Sequence, residues 1–291
     1  MATRNRPELL VLVGTTASGK SDLAMKVAKE FNGEIISADS WTVYKGFDVG
    51  TSKPSLKDQK AVKHYLIDVR EPTQGFNAPL FQRMANRAIA DIKRHGKLPI
   101  LVGGTGLYID SVLYNFGFLD NSSPENRQKL DSLELAELLE IAHSQSIDLT
   151  DVDQRNKRRV IRAIESNGQR PTKQKLRPNT LIVGLWPEPD QLKKQIEKRT
   201  NKMLANGLEQ EVKQLIGKYV WDTEPMKGIG YREWQAYFTA NQTLEETRQR
   251  IISATNNLAK RQRTWFKRNP DIKWFSSIEQ AYDFISDVLN T

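Results

Sequence analysis

The sequence contains no cysteine and only three histidines, and no apolar run approaches the ~20 residues needed to span a bilayer. Without cysteine there is no disulfide, no thiolate zinc site and no cysteine nucleophile. His64, His95 and His143 lie far apart and show no metal-ligand spacing. Residues 1–14 lack the apolar core and small-residue cleavage site of a secretory signal. The chain is therefore expected to work in the cytoplasm, away from membranes.

Acidic residues are scarce in one place. The chain carries a net charge of +9 over 291 residues. Between Arg155 and Arg177 there are nine basic residues and one acid, Glu165, so almost all of the excess sits in one stretch. Such a stretch is either a solvated helix face or a footprint for a nucleic-acid backbone.

Near the start, the apolar run Leu9 to Val13 reads as a buried parallel strand. It runs into Gly14-Thr15-Thr16-Ala17-Ser18-Gly19-Lys20-Ser21, which fits the phosphate-loop pattern G-x-x-x-x-G-K-[ST]. The glycines let backbone N–H groups converge on an anion, and the helix expected from Lys20 to Phe31 points its positive end at the same place. Lys20 adds a mobile charge, and the Ser21 hydroxyl can ligate Mg²⁺.

Strand-like and helix-like segments then alternate. Glu34–Ser37, His64–Asp68 and Leu98–Val102 read as strands, with a helix from Pro79 to Arg94 whose apolar residues recur at helical spacing. This alternation marks a parallel α/β sheet, in which ligands bind beyond the carboxyl ends of the strands. From about Gly117 to Pro178 only helix signals appear: one opened by Ser123-Pro124, another over Gln154 to Asn167. A strand is expected at Leu181–Leu185, a helix capped by the box Thr243-Leu-Glu-Glu246, a strand at Ile272–Phe275 and a terminal helix from Ser277.

An ATP-dependent kinase or NTPase would carry an acid after a later apolar strand to hold Mg²⁺. Here Leu98–Val102 runs into Gly103-Gly104-Thr105. The nearest carboxylate is Asp39, after the second strand. It could act as a general base or simply cap the segment that follows.

Six blocks, GTTASGKS, GEIISADSWTVYKGFDVGTSKP, LPILVGGTGLYI, IEKRTNKMLANGLEQEV, KGIGYREW and LAKRQRTWF, together resemble the bacterial tRNA dimethylallyltransferase family, in the family's order. The resemblance implies a P-loop NTPase-like parallel sheet flanked by helices, with a helical insertion domain. Residues 1–116 and 179–291 would form the core and 117–178 a basic tRNA-binding insertion. It implies transfer of a dimethylallyl group from dimethylallyl diphosphate to N6 of the adenosine next to the tRNA anticodon. ATP is not consumed, Mg²⁺ is the cofactor and the protein is a monomer.

By the same resemblance, the loop Gly14–Ser21 holds the donor's diphosphate together with Arg199. Asp39, Lys20, Arg199 and Thr105 form the catalytic set, with Asp39 as the base. Asp39, Ser40, Trp41, Thr42, Thr105, Arg127, Arg158, Arg159, Val160, Ile161 and Arg162 match tRNA-contacting positions, as do Lys227, Gly228, Ile229, Gly230, Tyr231 and Arg232. The chain departs from the family's usual loop at Thr15 and Ser21, where proline and threonine are common, and at Trp41-Thr42, where Met-Gln is frequent. Lys260, Arg261 and Arg263 read equally as a basic helix face or as tRNA contacts. Trp221, Trp234 and Trp274 read as core residues. The competing functions are a P-loop kinase, an isopentenyltransferase acting on free adenine nucleotide, and a nucleic-acid-binding protein with a regulatory phosphate site.

Overall fold

The structure, a computed structural model, describes residues 6–119 and 123–290. The chain divides into two compact units, Met1–Leu113 with Leu176–Thr291, and Tyr114–Lys175.

The first unit is built on one sheet. In chain order its opening half runs β1 (Leu9–Gly14), α1 (Lys20–Glu30), β2 (Gly33–Ala38), α2 (Leu56–Ala61), β3 (His64–Tyr65), α3 (Ala78–Arg94), β4 (Leu98–Gly103) and α4 (Gly106–Leu113). The six strands of the sheet are all parallel, in the order β3-β2-β4-β1-β5-β6, where β5 is Thr180–Leu185 and β6 is Lys273–Phe275. β1 and β4 are central and buried along their whole length, as their unbroken apolar runs require. The chain leaves β1 for β2, beyond β4, and returns later to β5 on the other side. The sheet order therefore switches between β1 and β4, and a crevice opens there at the carboxyl ends.

One face of the sheet is covered by α1 and the terminal helix. Leu23 and Val27 meet Leu10, Ile35 and Ile100, with Ala281 and Ile285 beside them. The capping box at Thr243 forms as expected, Thr243 N–H donating to Glu246 Oε2 at 2.7 Å and Glu246 N–H to Thr243 Oγ1 at 3.2 Å. The third strand is shorter than its sequence suggests. Leu66 and Asp68 adopt left-handed conformations, φ 65° and 55°, which end the ladder after Tyr65. Asp68 is spent instead on Lys53, 2.6 Å from its ammonium.

The second unit carries α5 (Pro124–Ser132), α6 (Leu135–Ser144) and α7 (Lys157–Glu165). They close around Leu130, Leu138, Val160 and Ile161. The ends of the segment meet at Gly117 and Thr172, which exchange backbone hydrogen bonds of 3.0 and 3.2 Å. The chain resumes in the first unit with α8 (Pro189–Ala205), α9 (Leu208–Ile216), 3-10 turns at Glu224–Lys227 and Arg232–Trp234, α10 (Gln235–Phe238), α11 (Leu244–Phe266) and α12 (Ile278–Asn290).

Candidate active site

The phosphate loop joins β1 to α1 at the mouth of the crevice. Gly19, with φ 88°, is the N-cap of α1, and Ala17 is also left-handed at φ 61°. This pair of left-handed residues turns the chain tightly enough to aim the first N–H groups of α1 inward. Lys20 folds back and donates to the Thr15 carbonyl oxygen at 2.9 Å. Burial, reinforced by the neighbouring Arg199 guanidinium and opposed by Asp39, lowers the Lys20 pKa to about 8. The hydroxyls of Thr15 and Ser18 are buried with no protein partner. Buried donors of that kind suit an anionic ligand.

Arg199, on α8, reaches this loop from the far side. Its Nη1 donates to Thr16 Oγ1 at 2.8 Å, its Nε to Ser52 Oγ at 3.0 Å and its Nη2 to the Thr51 carbonyl at 3.2 Å. Burial lowers its pKa, with Asp39 acting against the shift, and the guanidinium stays charged because its ordinary value is so high. Two cations thus flank the loop.

Asp39 follows β2 directly. Its Oδ1 accepts the Trp41 N–H at 2.8 Å, so one oxygen is held in a local turn. Its charge acts on both Lys20 and Arg199. Thr105 sits opposite, accepting the Ser40 N–H on its hydroxyl at 3.2 Å and donating its own N–H to the Ala38 carbonyl at 3.3 Å. The end of β4 itself is closed to a side chain. A Cβ at Gly103 would lie 2.2 Å from the Ala38 carbonyl oxygen, so no side chain fits where the β2 and β4 ends pack together.

Several residues of the core that match tRNA-contacting positions prove to be internal. Thr42 is buried and pairs with Ser37 at 3.0 Å. Tyr231 is 1 % exposed and donates to Glu211 at 2.8 Å. Gly228 and Gly230 are buried too, while Ser40, Trp41, Lys227 and Ile229 are half-buried and Arg232 is exposed. Lys227 and Arg232 pair with Asp222 and Glu233 at 2.8 and 2.9 Å.

In the helical unit, Val160 and Ile161 are fully buried. Their side chains form its core and offer nothing to tRNA, which corrects their assignment as contacts. Arg158 and Arg159, one helical step away, are exposed. Arg127 and Arg162 both turn to Glu165, at 3.2 and 3.6 Å, a carboxylate only 3 % exposed. Arg162 also donates to the Leu119 carbonyl at 2.9 Å. Of the α11 cations, Arg263 is structural. It lies over the Trp186 ring, 4.6 Å from its centre, and donates to the Pro187 carbonyl. Trp234 is fully buried, and Trp274 packs edge-on against Trp186 at 4.8 Å.

Two site residues lie within the blocks that carry the family resemblance, yet nothing in their type or spacing marks them for a role. Gln262 on α11 accepts the Thr16 N–H at 2.7 Å and donates to the Gly104 carbonyl at 3.1 Å. Glu211 on α9 binds the backbone of residues 48–50, next to the residues that hold Arg199. Each is an ordinary polar residue on an amphipathic helix, and only its partners distinguish it.

A strand–loop–helix cradle at the switch point of a parallel sheet, with two cations and a carboxylate around it, defines a P-loop fold whose loop is shaped for phosphate groups. The profile of the IPP transferase family matches residues 42–269. A tRNA dimethylallyltransferase of Staphylococcus epidermidis is 37 % identical over the whole of this chain and 93 % of its own length. One from Streptococcus equi subsp. zooepidemicus is 41 % identical, covering 95 % of this chain and 94 % of its own. The crystal structure of the tRNA isopentenylpyrophosphate transferase of Bacillus halodurans superposes with a TM-score of 0.73 at 34 % identity, covering 97 % of this chain and 96 % of its own. A eukaryotic dimethylallyltransferase solved while acting on tRNA gives a TM-score of 0.79 at 26 % identity, covering 96 % of this chain and 76 % of its own. The chain belongs to the IPP transferase family.

Proposed function

We propose that this protein transfers the dimethylallyl group of dimethylallyl diphosphate to N6 of the adenosine adjacent to the anticodon in tRNA. The N6–C1 bond forms, the C1–O bond to diphosphate breaks, and the N6 proton passes to Asp39. The observation that carries this reading is a carboxylate, Asp39, at the end of β2 and near enough to the two cations that flank the phosphate loop for its charge to act on both. In a kinase a carboxylate after β4 would hold metal, whereas here Gly104 and Thr105 follow that strand.

Lys20, Arg199 and the N–H groups of the loop stabilise the charge that develops on the departing diphosphate. Thr105, bonded to the Ser40 N–H, holds the segment after Asp39 against the end of β4. The target base must leave its stack to reach Asp39, at a lower cost from a single-stranded loop than from a duplex. The anticodon stem-loop is therefore the part of tRNA engaged, with Arg158 and Arg159 meeting its backbone.

Among the described residues no cluster of three or more His, Cys, Asp or Glu could cage a metal. Mg²⁺ does not need one, since it is commonly held by few protein oxygens together with substrate phosphates and water. The exposed Ser21 hydroxyl at the start of α1 fits that role, and the ion would supply further neutralisation of diphosphate charge. The family resemblance supports a monomer. Among the described residues no helix is long and apolar enough to cross a membrane, and a tRNA-modifying monomer without cysteine suits the cytoplasm.

The test is incubation with labelled dimethylallyl diphosphate and unmodified tRNA, with and without ATP, beside a parallel reaction offering adenosine monophosphate. Label should enter tRNA equally well without ATP. Label that needs ATP, that goes to the free nucleotide instead, or that goes nowhere would overturn the reading.

A further inference from the structure

Arg199 is the least local of the cations at the phosphate loop, and what fixes it is a segment between β2 and α2. Residues 48–52 of that segment supply two of its three hydrogen-bond partners, the Thr51 carbonyl and the Ser52 hydroxyl. A long, flexible side chain aimed at a leaving group loses rotamer freedom when it is held, so its value depends on how rigid its partners are.

That segment is neither helix nor strand; turn bonds from the Ser52 N–H to the Val49 carbonyl and from the Lys53 N–H to the Asp48 carbonyl, each 3.0 Å, shape it, and one carboxylate fastens it to α9. Glu211 accepts three successive backbone N–H groups: Asp48 at 3.0 Å and Val49 at 2.7 Å on Oε2, and Gly50 at 3.0 Å on Oε1. Oε1 also accepts the Tyr231 hydroxyl at 2.8 Å. Four donors therefore converge on both oxygens of a single anion. The fit is tight on the far side as well, since a Cβ at Gly50 would lie 2.5 Å from the Tyr231 ring. The other end of the segment is tied down by Lys53, whose ammonium sits between Asp48 at 2.5 Å and Asp68 at 2.6 Å and donates to the Tyr44 carbonyl at 2.9 Å.

We infer that Glu211, with Tyr231, is a positioning residue for Arg199, acting through residues 48–52 to hold the guanidinium against the phosphate loop. The inference rests on the reading of that loop as the diphosphate site. It gives Tyr231 a part other than meeting tRNA: buried beneath the segment, it serves the donor half of the reaction. Carboxylate chemistry is essential, because all four neighbours of Glu211 are donors. An amide in its place would turn an NH₂ toward two of them, since each oxygen accepts two donors.

The test is a double-mutant cycle on the full chain, read as the affinity for inorganic diphosphate with Mg²⁺ by calorimetry. Glu211→Gln should weaken binding by about tenfold, in line with losing charge-assisted bonds that steady a charged group. Arg199→Ala should weaken it by about a hundredfold. In the Arg199→Ala background, Glu211→Gln should change the affinity by less than about twofold, because coupled residues are not additive. A general structural role would instead give the same tenfold loss in both backgrounds, and that result would overturn the inference. Tyr231→Phe and Ser52→Ala, which each remove one hydroxyl, serve if Glu211→Gln does not fold. Each should weaken binding about threefold with Arg199 present and not without it. Wild-type protein that fails to bind diphosphate would defeat the reading of the loop itself. Diphosphate bound normally by the wild type, Tyr231→Phe and Glu211→Gln alike would defeat only the positioning role.

Discussion

The side-chain oxygen of Gln262 accepts the backbone N–H of Thr16 at 2.7 Å, across 246 positions of sequence. Its amide nitrogen donates to the Gly104 carbonyl at 3.1 Å. One side chain thus spans the crevice from the phosphate loop after β1 to the glycine turn after β4, and so ties that loop to the turn that carries Thr105. Gln262→Met keeps the length and loses both bonds. It should lower stability by about 1–3 kcal/mol, the cost of leaving backbone groups unpaired, and raise the KM for the donor. Thermal unfolding and initial rates check both, and an unaltered melting temperature with an unaltered KM would refute the spanning role.

Lys20 makes donor binding depend on pH. Its pKa in the free protein is lowered to about 8, and an adjacent diphosphate favours the ammonium form and so raises it. Binding at a pH of about 8.5 should therefore take up a proton, since phosphate groups of this kind have already ionised with pKa values of about 6. Affinity should weaken as pH rises through about 8, because the free enzyme then spends a growing fraction uncharged. Calorimetry in two buffers of different ionisation enthalpy measures the uptake. In Lys20→Ala it should vanish, with transfer slowed by about 2–4 kcal/mol of lost transition-state stabilisation.

Asp39→Asn separates basicity from shape. The asparagine side chain can still accept the Trp41 N–H, the bond that Asp39 Oδ1 makes at 2.8 Å. The single-turnover rate with both substrates saturating should fall by about 10²–10⁴, the usual contribution of a placed acid–base group. Donor affinity should hold or improve, since a negative charge next to Lys20 and Arg199 has been removed. A normal saturated rate with weakened Mg²⁺ or donor binding would place Asp39 with the metal instead.

On α7 the charge and the core are separable. Replacing Arg158 and Arg159 with Gln should flatten the salt dependence of tRNA binding by about 0.7–0.9 log unit per log salt for each phosphate no longer neutralised. Diphosphate affinity should not change. Val160→Asp, which buries an unpaired charge in the helical unit, should instead lower the melting temperature. An unchanged salt slope in the double arginine variant would mean that the two side chains are only a solvated face.

Much of this protein could be read from local pattern. The phosphate loop, the buried runs of β1 and β4, the Thr243–Glu246 capping box and α3 depend on residues within a turn or a strand of one another. Each is marked by residue types within one segment, so spacing reveals it, although the backbone of β1 and β4 is satisfied only by distant strands. The cation-rich stretch was legible as well. Which of its residues face outward was not, because Val160 and Ile161 lie between the exposed Arg159 and the half-buried Arg162, and only the packing of three helices decides which way α7 turns.

The tertiary structure decided how the site is held together. Arg199 meets Thr16 across 183 positions, Glu211 meets Val49 across 162, and Gln262 meets Thr16 across 246. None of these pairs has a periodicity or a spacing that a sequence displays. They form because the strand order carries the ends of β1, β2 and β4 to one rim of the sheet and packs α8, α9 and α11 around it. The sequence on its own determined that a phosphate-type loop would follow the first strand and open the first helix. The fold determined which distant side chains hold the binding loop in place, since that is a property of the sheet's connectivity and not of any single segment.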